Sequence, residues 1–443
     1  MAAPLRVIGG GLAGPEAAYQ IARRGLEVEL WEMRPRVSTA AHQTGALGEL
    51  VCSNSLKSET PYTAPWLLKE ELRRAGSLLL PCAAEAAVPG GQALSVDRER
   101  FSAAIERGLA RQPGITLRRE EAVALPPERT IVLASGPLTS TPLAEALARL
   151  TGREHLYFYD AISPIVEADS VDPDKVFAAS RHGKGGDDYL NCPLDREQYE
   201  RFHAALLAAE SYPLRAFEEP RFFEACLPLE ELARRGKDTL RFGPMKPVGL
   251  PDPRTGRVPY AVVQLRQENL RADSYNLVGF QNHLRFGAQA EVLRLIPGLE
   301  RARFLRFGQV HRNSYVQAPA VLDGKLRLRA QPSVFVAGQL CGTEGYVEAI
   351  ATGYLAGVFA AAQAHRRTQA PPPRATALGS LLHYITQAPL ERYTPANITF
   401  DLLPPLEQPE RERGARHQRQ CERALAALAG WLEPPGTPEE ACA

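Results

Sequence analysis

The run Leu5-Arg6-Val7-Ile8-Gly9-Gly10-Gly11-Leu12-Ala13-Gly14 leaves this chain few choices of local structure. Its first four residues read as a short buried strand. Glycines then follow at the spacing Gly9-x-Gly11-x-x-Gly14, and an Ala-rich helical stretch runs to Arg24. Gly25 stands where a helix ends in a left-handed residue. Glu27 to Trp31 alternates as a second strand and leads into Glu32. In such a β-α-β unit Gly9 allows the tight turn, Gly11 lets the backbone approach a pyrophosphate, and Gly14 lets helix and strand pack closely. The N–H groups of Gly10, Leu12 and Ala13 open the helix and favour a phosphate there. Glu32, at the end of the second strand, is placed to accept hydrogen bonds from ribose hydroxyls.

Two distant segments repeat the strand-to-glycine pattern. These are Thr130 to Gly136 and Ser333 to Gly338. A nicotinamide-binding domain is expected to be contiguous, whereas a flavin-binding one recruits such distant strands to one sheet. The second segment continues through a loop to Gly345 and into a long helix opened by Tyr346. That helix would aim its N-terminus at a flavin ring. The expected fold class is α/β: a Rossmann-type FAD-binding domain with an inserted α+β substrate domain. Residues 1–150 and 331–443 would form the discontinuous FAD domain, with a Pro-rich linker near 368–376 and a helical end. Residues 151–330 would form the inserted α+β substrate domain.

Composition narrows the function. With 52 Lys+Arg against 51 Asp+Glu, the net charge of +1 argues against a general polyanion-coating protein. The hydrophobic content of 44% excludes a disordered chain. Seven scattered cysteines with no C-x-x-C pair suggest neither a disulfide framework nor a metal site. No apolar run of membrane-spanning length is present, and no signal-peptide pattern opens the chain, so a cytoplasmic location is expected. Residues 266–330 hold eleven Lys or Arg against five Asp or Glu, a local surplus of +6 that suits an RNA face.

Five segments carry a family resemblance: Val7 to Ala18, Leu50-Val51-Cys52-Ser53-Asn54-Ser55-Leu56-Lys57, Phe242 to Leu250, Val278 to Leu284, and Cys341-Gly342-Thr343-Glu344-Gly345-Tyr346-Val347-Glu348. Together they resemble the folate- and FAD-dependent tRNA (uracil-5-)-methyltransferases. The likeness extends from about residue 5 to about residue 400. It implies transfer of a one-carbon unit from 5,10-methylenetetrahydrofolate to carbon 5 of the T-loop uridine, position 54, of tRNA. FADH2 would supply electrons, NAD(P)H would regenerate it, and tetrahydrofolate would leave. A related family, whose longer chains install a carboxymethylaminomethyl group on the wobble uridine, is the alternative enzyme. A non-catalytic flavin-dependent RNA-binding protein is the alternative outside enzymes.

The resemblance also assigns residues. Carbon 5 of uracil is a poor nucleophile until a thiolate adds to carbon 6, and cysteine suits that role. Cys226 matches the family's attacking cysteine. It precedes Pro228-Leu229-Glu230-Glu231, which reads as a helix start able to lower a thiol pKa. Cys52 matches a second functional thiol, as a base for the carbon-5 proton or as a shield for an intermediate. Tyr346 would stack on the flavin, with Gly338 and Gly345 shaping the same loop. His283 and His311 would flank folate or a phosphate, and Lys246 would meet a folate glutamate or a tRNA phosphate.

Overall fold

The computed structural model describes residues 3–39, 41–152, 156–212 and 227–433; the side chains of 156–161, 310–312 and 392 lie outside that description. Leu5–Ile8 is the central strand of a five-stranded parallel sheet. The order across it is Val334–Val336, Ile131–Leu133, Leu5–Ile8, Val28–Trp31, Ile115–Arg118. Numbered along the chain, that is 5-4-1-2-3, a doubly wound order whose switch point lies between the first and fourth strands. The strands Ile131–Leu133 and Val334–Val336 are continuous apolar runs, with Ile131, Val132, Leu133, Val334, Phe335 and Val336 all buried. Val334 pairs with Ile131 across some two hundred residues, so the late strand returns to the first sheet.

Two helices meet beneath the switch point. Ala13–Ala22 follows the glycine turn, and Tyr346–Ala364 follows the last strand. They touch through backbone: a Cβ at Gly353 would sit 2.3 Å from the Ala13 carbonyl oxygen, and one at Gly357 2.7 Å from that of Ala17. Only glycine permits this approach, and it brings both helix N-termini to one end of the sheet. Tyr346–Ala364 is long and apolar enough to span a membrane, but its Ile350, Tyr354, Leu355 and Phe359 are buried in the core.

A second sheet has six strands, all paired antiparallel: Phe177–Ala178, Tyr189–Leu194, Ala261–Gln267, Ser274–Leu277, Ile165–Glu167 and Phe304–Arg306. It has its own core, including Val166, Leu194, Phe202, Val263, Leu277 and Phe280. Helix Arg196–Ala208 covers it, started by a capping box between Asp195 and Gln198. The first core takes residues from Leu5 to Leu147 and from Tyr315 to Leu428. Tyr315, Val321, Leu322 and Leu326 therefore pack in the first core, ahead of the boundary expected at 331. The antiparallel pair Leu156–Ala161 and Val310–Tyr315 carries the chain between the cores in both directions.

The Pro-rich stretch near 368–376 is packed rather than loose. A Cβ at Gly379 would fall 2.1 Å from the Pro373 carbonyl oxygen, and the Trp431 indole donates to the Ala370 carbonyl at 2.8 Å. Thr376 caps helix Ala377–Gln387. Buried Glu71, on helix Ala64–Arg74, accepts the first N–H groups of Ala377–Gln387.

Candidate functional site

A long cleft opens at the carboxyl ends of Leu5–Ile8 and Ile131–Leu133, where the sheet order reverses. One end is the glycine turn. Gly9 has φ +115°, and a Cβ there would meet the Ala134 carbonyl oxygen at 2.2 Å. A Cβ at Gly14 would meet the Gly9 carbonyl oxygen at 1.7 Å. Gly11 differs: a Cβ there would meet nothing within 4 Å. Packing within the protein explains Gly9 and Gly14, whereas Gly11 leaves an open ledge over a helix N-terminus. That ledge fits a dinucleotide phosphate.

Glu32 lies at the edge of this ledge. One carboxylate oxygen accepts from Gly10 N at 2.6 Å; the other accepts from Arg34 N and Arg34 Nε, each at 2.8 Å. Burial pushes its pKa up, but the Arg34 bonds outweigh burial and hold it below the usual range. A carboxylate offers about four acceptor directions, so capacity for a ribose hydroxyl remains. Arg34 continues to Glu49 at 2.9 Å, and Glu49 accepts from Gln43 N and Thr44 N. This chain of charges folds the otherwise unperiodic loop along the cleft.

The inner end gathers residues from five parts of the chain. The Tyr346 hydroxyl accepts from Cys52 N at 2.9 Å and Ser53 N at 3.0 Å. Ser53 Oγ accepts from Arg266 at 2.8 Å. Arg98 pairs with Glu268 at 2.6 Å and donates to the Leu50 carbonyl. Arg306 donates to the Ala41 carbonyl at 3.4 Å. Three guanidinium groups thus face one carboxylate, a surplus that favours an anion beside Cys52. Burial draws the Arg266 and Arg306 pKa values down, whereas Glu268 overcomes burial at Arg98 and raises it. Below Gly345, Lys57 Nζ pairs with buried Glu348 at 2.9 Å. Glu348 sits in the first turn of its helix, so Lys57 balances the charge it adds there.

Among the described cysteines, Cys52 alone is not buried. Burial pushes the Cys82 thiol up to about 11 and those of Cys341 and Cys421 up to about 12, and it raises that of Cys192 as well. Cys52 alone among the described cysteines opens onto the cleft.

The family model described as glucose inhibited division protein A (GIDA) matches residues 4–368. Proteins named methylenetetrahydrofolate--tRNA-(uracil-5-)-methyltransferase TrmFO are still more similar. That of Solibacter usitatus (strain Ellin6076) is 62% identical, over 97% of this chain and 98% of its own. That of Koribacter versatilis (strain Ellin345) is 58% identical, over 97% and 98%. The chain belongs to the TrmFO family. The solved structure of Aquifex aeolicus GidA shares the fold of this TrmFO-family chain at a TM-score of 0.71 and 17% identity, covering 97% of this chain and 74% of the other.

The TrmFO cleft is lined by Gly9, Gly10, Gly11, Leu12, Ala13, Glu32, Gly338, Gly345, Tyr346 and Cys52 of the expected residues; Gly14 lies behind, against the Gly9 carbonyl. Gly338, at φ +74°, is tied by its N–H to Thr352 Oγ1 at 2.8 Å. Other expected residues lie elsewhere. His283 is buried beside Glu230, which accepts its N–H at 2.8 Å and meets its ring, and it does not line the cleft. Lys246 is on the surface, also off the cleft. His311 stands opposite Asp160 in the crossing strand pair, with its side chain outside the described residues. Cys226 lies outside the described residues, just before the helix Leu229–Arg234 that its neighbours suggested.

The Arg-rich segment 266–330 is not one surface. Arg266 is in the cleft, Arg306 lies near it, and Arg303 and Arg327 are paired with Glu167 and Asp323. Sequence reasoning missed Arg34, Lys57, Arg98, Arg266 and Arg306 as site residues. Lys57 had stood in the Leu50–Lys57 motif and Arg266 and Arg306 in the basic segment 266–330, while no motif marked Arg34 or Arg98.

Proposed function

We propose that this chain methylates carbon 5 of the T-loop uridine, position 54, of tRNA, with 5,10-methylenetetrahydrofolate as one-carbon donor, FAD as bound cofactor and NAD(P)H as reductant. The observation that carries this reading is the 62% identity, over nearly the whole of both chains, to a TrmFO methyltransferase. The cleft supports it. Bound FAD supplies the electrons that bring the transferred carbon to the methyl level.

The protein's own parts divide the remaining work. The Gly9–Gly14 turn and Glu32 hold the dinucleotide, and Gly338, Gly345 and Tyr346 shape the opposite wall. Cys226 adds to carbon 6 of uracil and makes carbon 5 nucleophilic. Cys52, at the inner end of the cleft, accepts the carbon-5 proton, helped by the surplus of guanidinium groups around it. The T-loop uridine must leave its stack to reach this depth. A tRNA substrate places the enzyme in the cytoplasm.

Nucleoside analysis of tRNA lacking 5-methyluridine, after incubation with the flavin-loaded protein, 5,10-methylenetetrahydrofolate and NAD(P)H, tests the reading. The expected product is 5-methyluridine at position 54. A modified wobble uridine would move the chain to the carboxymethylaminomethyl enzymes. Flavin and RNA binding without any modification would make it a non-catalytic binder. Cys226→Ala and Cys52→Ala should each keep the flavin and lose methylation; a normal rate in either removes that cysteine from the mechanism.

A further inference from the structure

Away from the cleft, the segment Phe242-Gly243-Pro244-Met245-Lys246-Pro247-Val248 alternates between two environments. Leu240, Met245 and Leu250 are fully buried, whereas Phe242 is 80% exposed, Val248 50% exposed and Lys246 exposed between them. An aromatic ring this exposed is unusual on a soluble surface, and a second exposed apolar side chain, Val248, follows six residues on.

The patch is rigidly mounted. Met245 N donates to the Leu240 carbonyl at 2.8 Å, and Val262 N to the Met245 carbonyl at 3.1 Å, which ties the knob to the Ala261–Gln267 strand. Arg241 lies 3.6 Å from the centre of the Tyr260 ring and donates to the Tyr260 carbonyl at 2.9 Å. Pro244 is backed by Gly279, where a Cβ would fall 2.8 Å from it. The ring is therefore held outward by a fixed base.

Two observations say what covers it. First, residues 234–258 hold seven Lys or Arg against two Asp, a net of +5. Lys246 and Arg257, both exposed, have no ion pair among the described residues. Second, the knob is joined to the inner end of the cleft. Arg181 donates to the Val248 carbonyl and, at 3.0 Å, to Gln264 Oε1. Gln264 shares a strand face with Arg266, two residues on and about 7 Å away. Arg266 in turn holds Ser53, next to Cys52.

We infer that the Phe242–Lys246–Val248 knob is a docking surface for the substrate tRNA, with Phe242 stacking on a nucleotide outside the catalytic cleft and Lys246 meeting a phosphate. The inference rests on the tRNA-methylation reading and deepens it. Base–aromatic stacking with flanking cations is the usual grip on unpaired nucleotides.

The test is tRNA binding by the flavin-loaded protein. Phe242→Ala should weaken binding about tenfold, within what one stacked base contributes, and Phe242→Trp should restore it. Lys246→Glu should weaken binding further and flatten its salt dependence by about one phosphate contact. Bound-flavin absorbance should be unchanged in Phe242→Ala. Unaltered tRNA affinity in Phe242→Ala overturns the inference. So does a Phe242→Ala protein that loses self-association while keeping its tRNA affinity, because the surface would then join two copies of the chain. If the unsubstituted protein fails to bind tRNA at all, the methylation reading itself is what fails.

Discussion

Tyr346 holds Cys52: its phenol oxygen accepts the Cys52 backbone N–H at 2.9 Å, across 294 positions of sequence. Burial, and then the nearby Cys52 thiol, push the phenol above its usual range, so it stays a neutral hydroxyl at working pH. The ring that opens the helix Tyr346–Ala364 thus also fixes the loop bearing Cys52. Tyr346→Phe keeps the ring and leaves the Cys52 and Ser53 N–H groups without this acceptor, at a local cost of about 1–3 kcal/mol. Methylation should fall about 10- to 100-fold while bound flavin stays near normal, since ~1.4 kcal/mol of mispositioning is a factor of ten in rate. A full rate in Tyr346→Phe would show that this clamp does not position Cys52.

The glycines of the first turn should separate on substitution. Gly14→Ala forces a Cβ to within 1.7 Å of the Gly9 carbonyl oxygen, so it should unfold the first sheet or cost several kcal/mol, about 3 or more. Gly11→Ala meets nothing in the protein and should fold with a near-normal melting temperature but lose FAD. Flavin absorbance and thermal melting read the two effects separately. A Gly11→Ala protein that retains its flavin in full would place the phosphates elsewhere.

His42 lines the cleft beside Arg34, and its Nδ1 lies 2.7 Å from Thr39 Oγ1. Burial first, and then the Arg34 charge, lower its pKa to about 4. The unfolded chain takes up this proton near pH 6.5, above the folded value. The neutral ring therefore stabilises the fold fully above about pH 6.5, and that contribution is lost as pH falls through 4. The melting temperature should drop across this window, and His42→Asn should flatten the drop. An unchanged acid limb in His42→Asn would assign the loss to other groups.

Glu71 accepts from Ala377 N at 2.7 Å and Leu378 N at 2.8 Å, which docks the late helix on the first core. Glu71→Ala leaves two buried donors unmet and should cost about 2–4 kcal/mol. Urea unfolding should show a lower midpoint, and protease should cut first near the Pro-rich stretch before Thr376. Cutting elsewhere, with an unchanged midpoint, would mean that this contact does not hold the C-terminal helices.

Much of the site's first half was legible because its demands are local. The strand, the glycines and Glu32 lie within about thirty residues, the length of one β-α-β unit, and each glycine answers a clash that backbone geometry imposes nearby. The helix Arg98–Arg111 makes equally local demands: Phe101, Ile105 and Leu109 repeat every four residues along its buried face, and Asp97 accepts from Arg100 N at 3.1 Å. His283 and Lys246 show the limit. Both lie in distinctive motifs, yet one is buried against Glu230 and the other faces solvent. A motif marks a segment as special without saying which way its side chains point.

The sequence by itself determined the glycine turn, the return of late strands to the first sheet, and the family. Periodicity, glycine spacing and the quoted motifs carry that information along the chain. Only the tertiary structure decided that Arg98, Arg266 and Arg306 converge with Glu268 around Cys52, and that Tyr346 holds that loop. Those partners come from both cores, and charges distant in sequence act on one another only when folding brings them within a few ångströms and excludes the water that would screen them.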